Sequence, residues 1–297
     1  MSIMTQDGIL NISLMGGQAR AILIESTQLV QEAKRVHGLS KIATAALGRT
    51  LTATAMMGSM LKGTDESVTA TIKGGGPIGT VLAVANEKCE VKGYVGNPGI
   101  DLPRTGPKLP VGAAVGKDGR LTVIKDLRLR EPYVGQVNLV SGEIAEDFAM
   151  YFTASEQTPS LVSLGVLVSD EKVESAGGLI VQLMPGASEA AIQSIEASQG
   201  MFMDISGTMK EYHLDGAVNQ LLMHLQPQVL ERRDVRYACD CSRARVEKAL
   251  ITLGAEELTD MIKTQHGAQV DCHFCNKRYR FSEDDLQALL NAATAKQ

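Results

Sequence analysis

Cys239 and Cys241, two positions apart, and Cys272 and Cys275, three apart, are two pairs of soft ligands in the last quarter of the chain. Pairs of this kind, meeting across an intervening structural unit, complete a tetrahedral all-thiolate zinc site that is closed to substrate and therefore structural. One zinc per chain is the expected cofactor. His273 lies inside the second pair, but four thiolates already saturate the metal, so it reads as a supporting or exposed side chain. The same spacings permit a second chemistry, because residues two or three apart reach disulfide distance when the chain bends locally. Disulfides between Cys239 and Cys241 and between Cys272 and Cys275 would consume all four donors and release the metal. Spacing alone leaves a permanent zinc staple and a redox switch both open. Arg236, Arg243, Arg245, Lys277, Arg278 and Arg280 are expected to favour thiolate character, with solvated surface charge as the plainer account of most of them. Cys89, far from the others, reads as an incidental thiol.

Between the pairs, Arg243 to Gly254 places Val246, Ala249 and Leu250 on one face, and Ala255 to Lys263 carries Leu258 and Ile262. Two short helices are predicted there to bring the cysteines together. Each is too short to be stable alone, so metal binding is expected to supply much of the folding free energy, ~10–16 kcal/mol in small zinc peptides.

Upstream, Gly8 to about Glu25 reads as strand, turn and strand, and residues 28–37 as a helix ended by Gly38. Lys41 to Leu61 is apolar nearly all round and rich in Ala, Gly and Thr, which predicts a helix approached closely on several sides. Strands follow at Val68–Lys73, Gly79–Ala85, Glu90–Val95, Leu121–Lys125 and Val134–Val140, then a helix over Ser141–Phe152 and strands at Leu164–Ser169 and Gly178–Met184. Runs of strands beside isolated helices indicate an α+β fold. After Pro185-Gly186 the pattern turns helical over Ala187–Gln199 and Ala217–Leu225, with Met201, Met203, Met209 and Met223 interspersed. This connector reads either as ordinary docked helices or as a segment whose docking is marginal.

Net charge is −5, and residues 231–297 hold 11 basic and 11 acidic residues, which argues against a nucleic-acid partner and a basic zinc-ribbon module. No basic stretch followed by an apolar run and cleavage site is readable in residues 1–25, and Arg49 and several hydroxyl residues interrupt Ala43–Leu61, so a cytoplasmic location without membrane partners is expected. An enzyme is not expected: there is no nucleophile elbow or zinc-protease motif, and Gly74-Gly-Gly lacks the Lys of a phosphate loop and reads as a tight turn. Glu143, Glu146 and Asp147 could pose as catalytic carboxylates but read as a polar helix start. A thiol oxidoreductase would place its Cys-x-x-Cys between strand and helix without two further cysteines.

Gly74-Gly-Gly-Pro-Ile-Gly79, Pro132-Tyr-Val-Gly-Gln-Val to Ser141-Gly-Glu-Ile-Ala-Glu-Asp, Ser155-Glu-Gln-Thr-Pro-Ser160, Ala176-Gly-Gly, Met184-Pro-Gly-Ala187 and the two cysteine pairs together resemble the heat-shock protein thirty-three family of redox-regulated bacterial chaperones. The resemblance spans essentially the whole chain. It implies an N-terminal chaperone core with a helix buried between sheets (residues 1–184), a helical linker (185–231) and a small four-cysteine zinc domain (232–297). It further implies an ATP-independent holdase, quiescent when reduced and zinc-bound. Under oxidative stress the two neighbouring cysteine pairs would oxidise, zinc would leave, and zinc domain and linker would unfold to bind unfolding client proteins. A homodimer in the active state and hand-off to ATP-dependent chaperones are also implied.

Overall fold

The computed structural model describes residues 7–104 and 106–294; the first six residues of the segment read for a secretory signal lie outside them. The described chain divides into two compact units, one ending at Ala238 and one beginning at Cys239.

In the first unit, β1 (Gly8–Leu14) and β2 (Ala19–Glu25) form a hairpin around a 3-10 turn, followed by α1 (Thr27–His37) and α2 (Lys41–Ser59). Gly38, in left-handed geometry, ends α1, and the Ser40 hydroxyl accepts the Ala43 N–H to cap α2. Then come β3 (Ser67–Lys73), β4 (Thr80–Asn86), β5 (Glu90–Val95), the short α3 (Val111–Val115), β6 (Arg120–Asp126), β7 (Tyr133–Asn138), α4 (Ala145–Ala154), β8 (Ser160–Val168) and β9 (Val173–Leu183). The connector supplies α5 (Glu189–Ser198), a 3-10 turn and α6 (Ile205–Leu222), and the unit closes with β10 (Gln228–Asp234) and β11 (Arg236–Tyr237).

These strands form a five-stranded sheet ordered β10-β1-β2-β9-β8 and a six-stranded sheet ordered β11-β5-β4-β3-β6-β7. Helix α2 packs against strands of both, and all its residues except Lys41 and Arg49 are buried. That is the helix expected between sheets. Close approach explains its small residues: a Cβ on Gly48 would lie 2.7 Å from Val30 Cγ1 and 2.9 Å from Val166 Cγ2. The one cation in its interior is matched, since Arg49 Nη1 donates to Glu143 Oε2 at 2.7 Å. A second apolar cluster lies where α5 and α6 cover the five-stranded sheet, with Leu10, Leu23, Leu179, Met209 and Leu221 among its members.

Strands β8 and β9 begin at Ser160 and Val173, earlier than the expected Leu164 and Gly178, and α3 was not expected; three further departures stand out in this unit. The helix expected from Ser141 begins at Ala145, because Ile144 has φ 78° and ψ −50° in a tight turn. Asp147 holds that turn, its carboxylate accepting N–H groups from Val140 and Ile144 at 2.7 and 2.9 Å. Helix α6 begins at Ile205, well before Ala217, and is interrupted at His213, where φ is 53° and ψ −173°. Residues 228–234, read as a polar lead-in to the cysteines, form edge strand β10, antiparallel to β1 with a register shift at Asn11/Ile12.

The second unit contains α7 (Arg243–Thr252), α8 (Ala255–Asp260) continued by one π-helical turn, the hairpin β12 (Gly267–Asp271) and β13 (Arg278–Ser282), and α9 (Glu283–Thr294). Its buried core is five side chains: Leu250, Leu258, Tyr279, Phe281 and Leu286.

Candidate metal centre

Each cysteine pair sits where the chain turns. Cys239 and Cys241 immediately precede α7, whose N-terminus is capped by Ser242 Oγ accepting the Arg245 N–H. Cys272 and Cys275 occupy the turn of the β12–β13 hairpin. There the Cys272 carbonyl accepts the N–H of Cys275 at 3.3 Å and of Asn276 at 2.8 Å, and Cys272 N–H returns to the Lys277 carbonyl at 2.9 Å. Asn276 takes left-handed geometry, φ 57°, which lets the turn close. The packing of α7, α8 and α9 on the hairpin through Leu250, Leu258 and Leu286 holds one turn against the other.

All four sulfurs lie within 4.8 Å of one another. Cys239 Sγ is 3.7 Å from Cys272 Sγ, and Cys241 Sγ is 3.3 Å from Cys275 Sγ. A tetrahedron of sulfurs at Zn–S distances of about 2.3 Å has edges of about 3.8 Å, so the donor set fits one tetrahedral cation. None of the cysteines is in a disulfide. His273 is exposed and is not a member of the donor cluster. Cys89 is fully buried in the first unit, and burial pushes its thiol up.

Protonation is divided unevenly over the four thiols. Burial, reinforced by hydrogen bonds with the neighbouring thiols, pushes Cys239 up to about 12, and burial raises Cys275. Cys241 also feels burial, but the Tyr279 hydroxyl and the surrounding thiols stabilise its anion and bring it down to about 7. Tyr279 Oη donates to Cys241 Sγ at 3.2 Å, and that bond raises the phenol in turn to about 12. A cation entering this set meets one thiolate already favoured and displaces protons from the others.

Tyr279 is the residue that sequence reasoning passed over; its only signal is the alternation Arg278-Tyr-Arg-Phe after the second pair. Four of the six cations expected to favour thiolates are paired with carboxylates. Arg243 contacts Glu247 and Asp285 and lies over the Phe281 ring, Arg245 pairs with Asp240, Arg278 with Asp271, and Arg236 with Glu90. Lys277 lies over the Tyr279 ring.

The alternative chemistries are filled by structure. A Cβ on Gly74 would lie 2.3 Å from the Gly116 carbonyl oxygen and one on Gly76 2.3 Å from that of Ala114, so backbone occupies the space a phosphate would need. Glu143 is spent on Arg49 and on the Gly112 N–H at 2.8 Å. Asp147 is spent on the turn before α4, and Glu146 is exposed. Among the described residues, no helix is long and apolar enough to cross a membrane.

Comparison with known proteins places these features together. The family model described as Hsp33 protein matches residues 7–282. The chain is 47% identical over 287 residues to the 33 kDa chaperonin of Clostridioides difficile strain 630, covering 96% of this chain and 99% of that protein. It is 46% identical over 286 residues to the 33 kDa chaperonin of Alkaliphilus metalliredigens, with 95% and 98% covered. The crystal structure of the 33 kDa chaperonin, a heat shock protein 33 homologue, from Thermotoga maritima superposes with a TM-score of 0.88 at 36% identity, covering 98% of this chain and 100% of that one.

Proposed function

The chain belongs to the Hsp33 family, and from that premise we propose that its chaperone role is that of an ATP-independent holdase switched on by oxidation. The observation that carries this reading is the clustering of four thiols from two sequence-neighbour pairs in a unit with only five buried side chains. Cys239, Cys241, Cys272 and Cys275 would hold one Zn2+, which when bound supplies the cross-link that a core of this size does not.

Under peroxide, Cys239 with Cys241 and Cys272 with Cys275 each form an S–S bond. From the metal-bound thiolates each pair gives up two electrons, and each peroxide takes them up with two protons from solvent and leaves as two waters. Both disulfides together remove every donor. The metal site is lost, the unit from Cys239 unfolds together with the stretch from about residue 232 that leads into it, and the linker at 185–231 follows.

Support for a releasable linker comes from its surface. Met201, Met203 and Met223 are exposed, as are Val229 and Leu230 on edge strand β10. Flexible thioether side chains repack against varied apolar partners, which suits unfolding client proteins. In this reading the active form is a homodimer in the cytoplasm and passes its clients to ATP-dependent chaperones after reduction, without catalysing a reaction itself.

The test pairs two states of one preparation. Reduced protein should carry one zinc per chain and leave aggregation of a heat-denatured client unchanged. Peroxide with mild heating should release the zinc and suppress aggregation. Equal suppression by both forms would sink the switch.

A further inference from the structure

Strand β11 has only two residues, yet it closes one edge of the six-stranded sheet immediately before Cys239. It runs parallel to β5, with Arg236 opposite Glu90 and Tyr237 opposite Val91. Arg236 N–H donates to the Cys89 carbonyl at 3.3 Å, and Ala238 N–H to the Val91 carbonyl at 2.9 Å. Strand β5 continues to Val95, so the ladder with β11 stops well before its end.

The next position along that edge is served by a side chain. Tyr237 Oη donates to the Gly93 carbonyl at 2.9 Å and accepts the Gly93 N–H at 3.5 Å. One phenol thus takes the place of the peptide group that a longer strand would present. His37 Nε2 of α1 lies 3.0 Å from the same oxygen, and the two rings meet edge to face with centroids 6.4 Å apart. The Tyr237 ring is partly buried against the core of the first unit, while Arg236, on the surface, pairs with Glu90.

An open strand edge is a template for another extended chain, in which main-chain bonds carry affinity and side-chain niches carry selectivity. A strand of two residues holds such an edge mainly because the chain on either side keeps it close, as a tether does for a weak ligand. Residues 232–238 belong to the stretch that the proposed function releases together with the cysteine unit.

We propose that β11 is an internal stand-in for a client. Its departure uncovers an edge of β5 that takes an extended segment of an unfolded polypeptide, parallel to β5, with a cationic residue followed by an aromatic one. The occupant is read from what sits there in the folded chain. The N–H groups of residues 236 and 238 are those of any extended backbone. Glu90 selects a cation at the first position, and the niche between His37 and Gly93 selects a ring with a hydrogen-bonding tip at the second. The edge deepens the client-binding reading and rests on it for the moment of exposure.

The probe is a fluorescent, end-blocked peptide with the sequence of residues 233–238, Arg-Asp-Val-Arg-Tyr-Ala, titrated into the full chain and followed by anisotropy. Reduced, zinc-loaded wild type should leave it free, and peroxide-treated protein should bind it. Methylating the peptide nitrogen that corresponds to Arg236 or to Ala238 should weaken binding about tenfold in each case, the size of one hydrogen bond. Methylating the intervening Tyr237 nitrogen, which by strand alternation faces away from β5, should not.

Unmasking without oxidation separates the edge from the switch. In the reduced chain with its zinc retained, Tyr237→Ala should bind the peptide as the oxidised wild type does. Arg236→Glu, an exposed change that sets like charges together at Glu90, should bind it more weakly but measurably, which keeps the test alive should the first variant fold poorly. Binding by these variants but not by peroxide-treated wild type upholds the edge and removes the redox reading instead. Absence of binding in all three proteins, or equal loss with all three methylated peptides, overturns the edge. Binding that vanishes as the oxidised chain dimerises assigns the edge to β11 of a second copy and overturns the client as its occupant.

Discussion

Helix α2 and the four-cysteine unit are two ways of holding a chain in place. Around α2, two sheets bury every residue but Lys41 and Arg49, and the largest enclosed side chains, Tyr151, Phe148 and Phe152, are wholly inaccessible. That stability comes from apolar area and is spread over the whole first unit. The unit from Cys239 onward buries five side chains, and its organising contact is a cluster of sulfurs within 4.8 Å. With the proposed metal in that cluster, its stability would be concentrated in one place and chemically removable. The difference teaches where a control can be built: a core of dispersed burial has no single group whose loss undoes it, whereas a metal-nucleated unit has four.

Metal removal is the strongest way to break that comparison. Chelating the reduced chain should abolish amide-exchange protection across residues 239–294 while leaving that of α2 intact, since ~10–16 kcal/mol of folding free energy goes with a structural zinc. Joint melting of both units, or protection surviving in both, would erase the distinction. The converse perturbation comes next in size. Phe148→Ala, at a position with no exposure, should cost the first unit about 3–5 kcal/mol in denaturant unfolding while leaving zinc affinity unchanged.

Legibility in the sequence follows the same division. The alternation of β3, β4 and β5 and the all-round apolar character of α2 are consequences of burial, and burial leaves a periodic trace. The four clustered cysteines were legible for another reason, because soft donors paired at those spacings are a rare pattern. What left no trace was polar or exposed. Strand β10 is exposed along all but Arg233, so no apolar alternation marks it. In the smaller unit the trace is short: β13 shows it only as Arg278-Tyr-Arg-Phe, and α9 buries Leu286 alone. The turn at Ile144 hangs on one carboxylate three residues on, Asp147, and the break at His213 on the distant carboxylate of Glu25, neither of which periodicity marks. The pairing of sulfurs in space was not legible either. The close approaches of 3.7 and 3.3 Å run across the pairs, Cys239 to Cys272 and Cys241 to Cys275, whereas the proposed disulfides join sequence neighbours.

Tyr279→Phe sharpens the comparison within the smaller unit by leaving the ring in its core and deleting only the bond to Cys241. Loss of a group that supports a ligand costs roughly 10- to 100-fold in metal affinity. In the metal-free reduced chain, the pH profile of alkylation at Cys241 should have its midpoint near 7 in the wild type and move upward in the variant. An unmoved midpoint would mean that the other thiols alone hold the Cys241 anion.

The smallest effect is expected where charge is most conspicuous. Arg278 follows the second cysteine pair by three residues, and its guanidinium donates to Asp271 at 2.9 Å on an open surface. Exposed pairs of this kind are strongly screened and are held at a cost in side-chain entropy. Because Asp271 engages the cation, Arg278→Gln should leave both zinc affinity in a chelator competition and the rate of peroxide-driven zinc release indistinguishable from wild type. A clear slowing of release would show that long-range positive potential, and not the Tyr279 hydroxyl alone, sets thiolate character here. Control of the unit would then be shared between its surface and its small core, and the contrast with the dispersed core around α2 would be weaker than the geometry indicates.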